Sequence, residues 1–379
     1  MTVTYRVVAI PGDGVGPEVL AAGRRVVDAA GERFGFRVAW HEVLMGGVAI
    51  DAFGVAIRDE DIARCAEADA IYLGAVGGPK WDDPNAAVRP EQGLLALRRA
   101  LVLYGNLRPV AVHPALIASA PLRPELLAGV DLLIVRELTG GLYFGRPSEE
   151  RATPAGRFAV DTLTYSESEI ARVVRLAFEL ARGRRKRLTS VDKANVLSSS
   201  RLWRKIVEEI RPEYPDVEVE HRLVDSCAMS LVTRPAGFDV LVMENMFGDI
   251  LSDEASVLAG SLGMLSSASI GERRTEHGLH GLYEPGHGSA PHMTGRDVAN
   301  PIGTVLSGAL LLRWSLGQAE AADAVEAAVA TALDDGFRTP DLMRSLAADA
   351  SGLRPVGTEG MTDAIVERLG VVKAAGVPG

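Results

Sequence analysis

Two aspartates set one helical turn apart are the residues of this chain whose spacing speaks most directly of chemistry. They lie in the stretch Asp239 to Gly260, DVLVMENMFGDILSDEASVLAG, where Asp249 and Asp253 stand four positions apart and so share one face of a helix. Like charges at that spacing repel unless a cation lies between them. A hard divalent cation, Mg²⁺ or Mn²⁺, takes oxygen ligands and needs only one or two carboxylates. The competing reading is that both aspartates serve the first turn of a helix, at the positive end of its dipole. Asp239 to Met243 is short and rich in Val and Leu, as a buried parallel strand is. A polar turn is expected at Glu244 to Gly248, with the helix opening at Asp249.

Other charged residues stand beside apolar strands and turns. Arg98 lies in GLLALRRAL, Arg108 in GNLRP, and Arg136 ends DLLIVRE. Each alone reads as a surface or ion-pairing arginine. Together they would suit a small di- or tricarboxylate, because the guanidinium fork pairs with carboxylate through two bonds. Tyr143 follows a Gly-Gly turn, where it is either a packing tyrosine or a phenol that reaches a substrate. Lys193, in SVDKANV just beyond a strand, is either an exposed lysine or, with a lowered pKa, a base.

The elements that must position these groups alternate along the chain. Strands are expected at Tyr5 to Ile10, Arg37 to Val43, Ala70 to Gly74, Val130 to Arg136 and Arg187 to Asp192. Helices are expected at Gly16 to Gly31, Arg58 to Ala68, Gln92 to Leu103, Glu167 to Ala181 and near Ser199 to Ile210. Such alternation is the α/β signature. A chain of 379 residues exceeds what one core usually organises, so two domains are expected. No linker marks a boundary, and a domain that the chain leaves and re-enters is as admissible as two in series. The tail after Leu369 is expected to be loosely ordered.

Composition narrows the function classes. A net charge of −10 argues against nucleic acid or an anionic membrane as partner. The one basic run, RGRRKR at Arg182 to Arg187, reads as a solvated surface at a helix C-terminus. Cys65 and Cys227, with no CxxC, fit a reducing cytoplasm. No signal-peptide pattern opens the chain, and the apolar segment Ile302 to Leu312 is too short to span a bilayer. A soluble cytoplasmic protein is expected. The Gly-rich PGDGVGPE at Pro11 to Glu18 departs from the dinucleotide fingerprint at Pro17. No phosphate-loop GxxxxGK[ST], GxSxG elbow or HExxH occurs.

Four longer strings then carry a resemblance. VRELTGGLYFG (Val135 to Gly145), SVDKANVL (Ser190 to Leu197), ENMFGDILSDEAS (Glu244 to Ser256) and EPGHGSAP (Glu284 to Pro291) closely resemble the isocitrate/isopropylmalate family of β-decarboxylating dehydrogenases, most of all its isopropylmalate-type members. IPGDGVGPE and GAVGGPKW agree. The resemblance implies an α/β, two-domain fold with an interdomain cleft, distinct from the Rossmann fold. A discontinuous cofactor-binding domain would span 1–103 and 263–379, and a substrate, metal and dimerisation domain 104–262. It implies NAD-dependent oxidation of a malate hydroxyl, loss of carbon dioxide and protonation of the resulting enolate.

Residue by residue, the resemblance assigns Arg98, Arg108 and Arg136 to the malate carboxylates. Asp249 and Asp253 would bind Mg²⁺ or Mn²⁺, with Asp225 of the partner subunit completing the site in a homodimer. The partner subunit's Lys193 would be the base and Tyr143 the acid. Glu284, His287, Gly288, Ser289, Ala290, Pro291, His292 and Asn300 match cofactor positions. Glu91, Leu94 and Leu95 match those that meet the isopropyl group, and the two leucines would leave a third carboxylate, as in isocitrate, without a partner. The expected reaction is 3-isopropylmalate to 4-methyl-2-oxopentanoate, in leucine biosynthesis. Alternatives are a paralogue acting on another 3-substituted malate or tartrate, and a catalytically silent metal- or nucleotide-binding homologue. His292 departs from the aspartate usual in NAD-using members, yet NAD remains the expected cofactor because no Lys or Arg adjoins it before Arg296. The loop Ile270 to Gly281 is longer than usual and has no reading from sequence.

Overall fold

The computed structural model describes residues 2–83, 86–120, 122–343 and 352–371. It divides into two compact units, Met1–Leu103 with Val112–Pro121 and Ser256–Gly379, and Tyr104–Ala111 with Leu122–Ala255. The later boundary thus falls at Ser256, where the resemblance placed it at 263, and Val112–Pro121 returns to the first unit. The end of the chain beyond 371, expected to be loose, lies outside the described residues.

In the first unit the strands run Phe36–Glu42, Val3–Gly12, Ala70–Ala75, Leu279–Pro285, Ser266–Arg274 across the sheet. The first four are parallel and the last is antiparallel to its neighbour. Val8, Ile10, Ile71, Leu73 and Leu282 join Leu97 and Leu101 in one core cluster. The apolar segment that is too short for a membrane is the helix Ile302–Trp314, most of whose residues are buried as it packs against Gly16–Phe34, Ala319–Asp334 and the strands. A helix apolar all round belongs inside a protein. No helix among the described residues is long and apolar enough to cross a membrane.

The segment Ile270 to Gly281 also gains an account. It is the distal part of a β-hairpin whose register shifts between Ile270 and Arg274. Its turn closes by Thr275 N–H donating to Gly278 O at 2.8 Å. His277 there packs edge-on against Tyr5, with ring centres 4.7 Å apart.

In the second unit the order is Gly105–Ala111, Asp131–Glu137, Val240–Met243, Arg187–Asp192, Glu218–Leu223. Only Gly105–Ala111 is antiparallel to its neighbour. The helix Glu167–Arg182, opened by a Ser166–Glu169 capping box, covers the sheet together with Ser198–Ile210. A hairpin, Glu149–Thr153 with Gly156–Val160, has no counterpart in the sequence reading. The basic run begins at the C-terminus of the helix Glu167–Arg182 and is largely exposed, as expected, while Arg184 within it pairs with buried Asp239 at 2.9 Å and with Asp131 at 2.8 Å.

One expectation is corrected where it matters most. The helix of the aspartate pair opens at Asn245 and runs to Ser256, so Glu244 to Gly248 is no extended turn. The Glu244 carboxylate accepts the N–H groups of Phe247 at 3.0 Å and Met246 at 3.3 Å, which starts the helix earlier. Gly248 misled because glycine usually signals a turn. Here it is needed for close approach, since a Cβ would lie 2.6 Å from Arg136 Cγ. No acidic residue stands in the first helical turn, which removes the helix-start reading of Asp249 and Asp253.

Candidate functional site

In the second unit, parallel pairing sets Arg136 beside Met243, and Met243 beside Val191. The strand ends that deliver Arg136, the aspartate helix and Lys193 therefore lie along one edge, where open α/β sheets gather their ligands. Asn106 faces Arg136 across the antiparallel pair, with Arg108 two residues on and hence on the same face.

Both arginines are buried and already engaged. Arg136 donates through Nε and Nη2 to Asn245 Oδ1, at 3.0 and 2.8 Å, and through Nη1 to Asp249. Arg108 donates through Nε to Asn106 at 2.7 Å, and through Nη1 to Ser252 at 2.6 Å and Asp253 at 3.1 Å. Its Nη2 lies 3.6 Å from Asp249. Asn245 is anchored in turn, its Nδ2 donating to Gly140 O at 3.0 Å. Asn106, Ser252 and Asn245 were missed by sequence reasoning, which weighs charge and spacing and has no rule for an amide or hydroxyl that holds a guanidinium.

Tyr143 donates to Asp249 Oδ2 at 3.0 Å. Burial first, and then the Asp249 carboxylate, push its phenol up to about 12, so it keeps its proton at neutral pH. Lys193 forms a separate cluster. Its Nζ lies 2.7 Å from Asp225 Oδ1, and its backbone N–H donates to Ser200 Oγ at 3.0 Å. The hydrogen bond from Lys193 holds the Asp225 carboxyl below its ordinary range. Among the described residues of one chain, no three His, Cys, Asp or Glu side chains converge as metal ligands. Asp249 and Asp253 thus supply two carboxylate donors, which suits a hard cation that draws its remaining oxygens from elsewhere.

The first unit carries the other candidates. In the helix Glu91–Ala100, Arg98 is buried and forms an ion pair with Glu284, while its Nε has no hydrogen-bond partner among the described residues. Leu94 packs against the core cluster, Leu95 is half-buried, and Glu91 is exposed. The segment from Glu284 to Asn300 borders a cavity of about 200 Å³ lined by Val15, Leu262, His287, Ala290, Asn300 and Asp341 among others. Asn300 donates to Asp341 at 3.0 Å and accepts Ile302 N–H at 3.0 Å. His287 Nδ1 is 2.9 Å from Gly288 O, which makes it the protonated nitrogen. Nε2 is left as a buried acceptor with no partner among the described residues, and burial pushes the imidazole pKa down. Largely apolar walls with a few fixed polar groups suit a heteroaromatic ring, so these residues fit a nucleotide cofactor. Ser289, buried, accepts Val15 N–H at its carbonyl at 2.8 Å, Gly288 and Pro291 are exposed, and exposed His292 accepts at its carbonyl from Arg296 Nη1 at 3.3 Å. The cation that the sequence set four positions away therefore reaches His292.

Asp13 is the main omission in this unit. It is buried, and its carboxylate accepts the N–H groups of Gly47 at 2.8 Å, Val48 at 2.9 Å and Gly77 at 2.8 Å. Gly14, at φ +60°, stands against Ser289, where a Cβ would lie 2.0 Å from the carbonyl oxygen. PGDGVGPE is thus the clamp that joins GAVGGPKW to the Ser289 loop. Its glycines were visible in the sequence, and the inward turn of Asp13 was not.

Comparison with known proteins places this geometry. Residues 6–365 match the isocitrate/isopropylmalate dehydrogenase family. A 3-isopropylmalate dehydrogenase of Anaeromyxobacter dehalogenans (strain 2CP-C) is 57% identical, covering 96% of this chain and 99% of the relative. One of Aquifex aeolicus (strain VF5) is 50% identical over 98% of this chain and 99% of the relative. Among solved structures, isocitrate dehydrogenase from Methylococcus capsulatus is similar at a TM-score of 0.82 and 34% identity, over 96% of this chain and 99% of that one.

Proposed function

Because the chain belongs to the isocitrate/isopropylmalate dehydrogenase family, we propose that it is the NAD-dependent enzyme that oxidises and decarboxylates 3-isopropylmalate to 4-methyl-2-oxopentanoate, in the cytoplasm, for leucine biosynthesis. The observation that carries this reading is the gathering of Arg108, Arg136 and Tyr143 around Asp249 and Asp253 in a chain so similar to enzymes named for that substrate. When bound, NAD supplies the hydride acceptor and Mg²⁺ or Mn²⁺ the Lewis acid for hydroxyl and carboxylate oxygens.

The chain's own residues do the rest. Arg98, Arg108 and Arg136 hold the substrate carboxylates, exchanging part of their present acidic partners for them. Lys193 of the partner subunit takes the hydroxyl proton as the C–H bond yields its hydride. Carbon dioxide leaves with the electrons of its C–C bond on the remaining fragment, and Tyr143 returns a proton to that carbon. Glu91, Leu94 and Leu95 meet the alkyl group, and the two leucines offer a third carboxylate no hydrogen bond, which favours isopropylmalate over isocitrate.

Glu284, His287, Gly288, Ser289, Ala290, Pro291, His292 and Asn300 hold NAD, with Asp341 added to the set. Asp225 completes the metal ligands across a homodimer. Exposed Met229, Val232 and Ile250, at 62%, 42% and 59%, on the helices Val224–Thr233 and Asn245–Ser256 offer apolar side chains for that association.

Purified protein assayed with Mg²⁺ against a panel of 3-alkyl- and 3-arylmalates, tartrate and isocitrate, each with NAD and NADP, tests the proposal. Highest kcat/KM for isopropylmalate with NAD is expected, with activity lost on adding EDTA. Faster turnover of another malate overturns the substrate, and NADP preference, which Arg296 beside His292 would explain, overturns the cofactor. An Ile250→Glu variant should be a folded, inactive monomer, and an active monomer refutes the shared site.

A further inference from the structure

Beneath the catalytic candidates of the second unit lie two buried acids with no assigned task, Glu137, wholly buried, and Glu244, nearly so. Glu137 follows Arg136 at the strand end. Its Oε1 accepts Thr139 N–H at 2.9 Å and Thr139 Oγ1 at 2.7 Å, and its Oε2 accepts Gly140 N–H at 2.8 Å. It therefore grips the turn that leads to Tyr143. Glu244 starts the helix that leads to Asp249 through its bonds to Met246 and Phe247.

Tyr165 stands where the two grips meet. Its hydroxyl accepts Asn245 N–H at 3.0 Å and lies 3.4 Å from Glu244 Oε2. A Cβ at Gly140 would come within 2.6 Å of the Tyr165 ring, and one at Gly141 within 2.6 Å of its hydroxyl oxygen. The Gly-Gly turn is thus moulded on this phenol. Trp203 backs the ring at 5.9 Å, edge to face. Burial raises both glutamates, and it raises Tyr165 as well, aided by the two acids, so the phenol keeps the proton it shares with them.

We propose that Tyr165, set between Glu137 and Glu244, is a positioning residue that locks the turn carrying Tyr143 and the helix carrying Asp249 into one register. The inference rests on the roles given above to Tyr143 and Asp249. The Tyr143 hydroxyl reaches Asp249 from one side of this lock, and Asn245 clasps Arg136 from the other. A shift of the turn by about 1 Å is enough to cost a reaction on the order of 100-fold.

The test is a double-mutant cycle in the full-length enzyme with Tyr165→Phe, which removes one oxygen and keeps the packing, and Tyr143→Phe. Tyr165→Phe should lower kcat about 10- to 100-fold with KM for NAD unchanged within about twofold. In a Tyr143→Phe background its effect on kcat should be several-fold smaller than in the wild type, because coupled residues are not additive. Wild-type kcat for Tyr165→Phe, or a full multiplicative loss in the double variant, overturns the inference. Should Tyr143→Phe alone keep full kcat, the acid role of Tyr143 falls. Amide exchange then decides the lock by itself: faster exchange at Thr139, Gly140 and Asn245 in Tyr165→Phe supports it, and unchanged exchange overturns it. If Tyr165→Phe does not fold, Glu244→Gln takes its place in the same cycle with the same outcomes.

Discussion

In the second unit Arg108 and Arg136 meet Asp249 and Asp253 side chain to side chain, with Asn106 and Asn245 steadying the guanidinium groups. In the first unit the corresponding work is done by backbone: Gly14 lies against Ser289, Val15 N–H donates to the Ser289 carbonyl, and Asp13 gathers three backbone N–H groups. One region holds charges that, on the proposed function, exchange partners when substrate binds, and the other holds the shape of a loop. The difference predicts that the second unit answers to changes of chemistry, and the first to changes of volume and torsion.

The largest effect should come from removing a reactive group. Lys193→Ala should lower kcat by about 10²- to 10⁴-fold, the usual weight of a general base, without moving the melting temperature, because Lys193 pairs with exposed Asp225. Steady-state kinetics and a thermal melt check this, and a variant with full kcat breaks the assignment. Next comes Arg136→Lys, which keeps the charge and loses the fork that Asn245 clasps. Charged hydrogen bonds of this kind contribute about 1.5–3 kcal/mol, so kcat/KM for the malate should fall about 10- to 100-fold. A near-normal value would mean that charge alone suffices in the second unit.

Gly14→Ala puts the contrast to the first unit. A Cβ there meets the Ser289 carbonyl at 2.0 Å, at φ +60°. The strain should cost about 1–3 kcal/mol, seen as a lower denaturation midpoint together with a higher KM for NAD, while KM for the malate holds. Equal rises in both constants would erase the distinction between the units.

The same contrast governs what could be read from sequence. The strands and helices around Val7, Val26, Leu73 and Val240 follow apolar periodicity, a local property, and were legible. The roles proposed for Arg136, Asp249 and Lys193 came only from long motif strings, because such roles depend on neighbours far along the chain. Gly248 was misread because local propensity treats glycine as a breaker, while the helix needs it as room for Arg136. Asp13, Asn245 and Tyr165 escaped notice altogether. Each acts by accepting or passing on backbone hydrogen bonds from distant segments, and no spacing rule encodes that.

The smallest effect is one of sign. His280 is wholly buried in the strand Leu279–Pro285, where Nε2 lies 3.0 Å from Cys65 O and is therefore the protonated nitrogen. Nδ1 has no partner among the described residues, so adding a proton there creates an unsatisfied buried donor, and burial lowers the pKa of this imidazole. Below the ordinary histidine pKa of about 6.5 the unfolded chain takes up a proton that the folded chain refuses. Stability at His280 is thus fully present above that pH and falls as the pH drops towards the folded value. In the second unit Glu137 and Glu244 are raised by burial, and their sign is opposite. Their contribution is fully present below the ordinary carboxyl value and is lost as pH rises through the folded one. Acidification from pH 7 to pH 5 should therefore loosen Leu279–Pro285 amides in hydrogen exchange before those of Thr139 and Gly140. His280→Gln, which keeps a donor towards Cys65 O, should flatten part of that slope. If the variant melts with an unchanged or steeper dependence on pH, the histidine is not its source, and the two units would have to share one acid response.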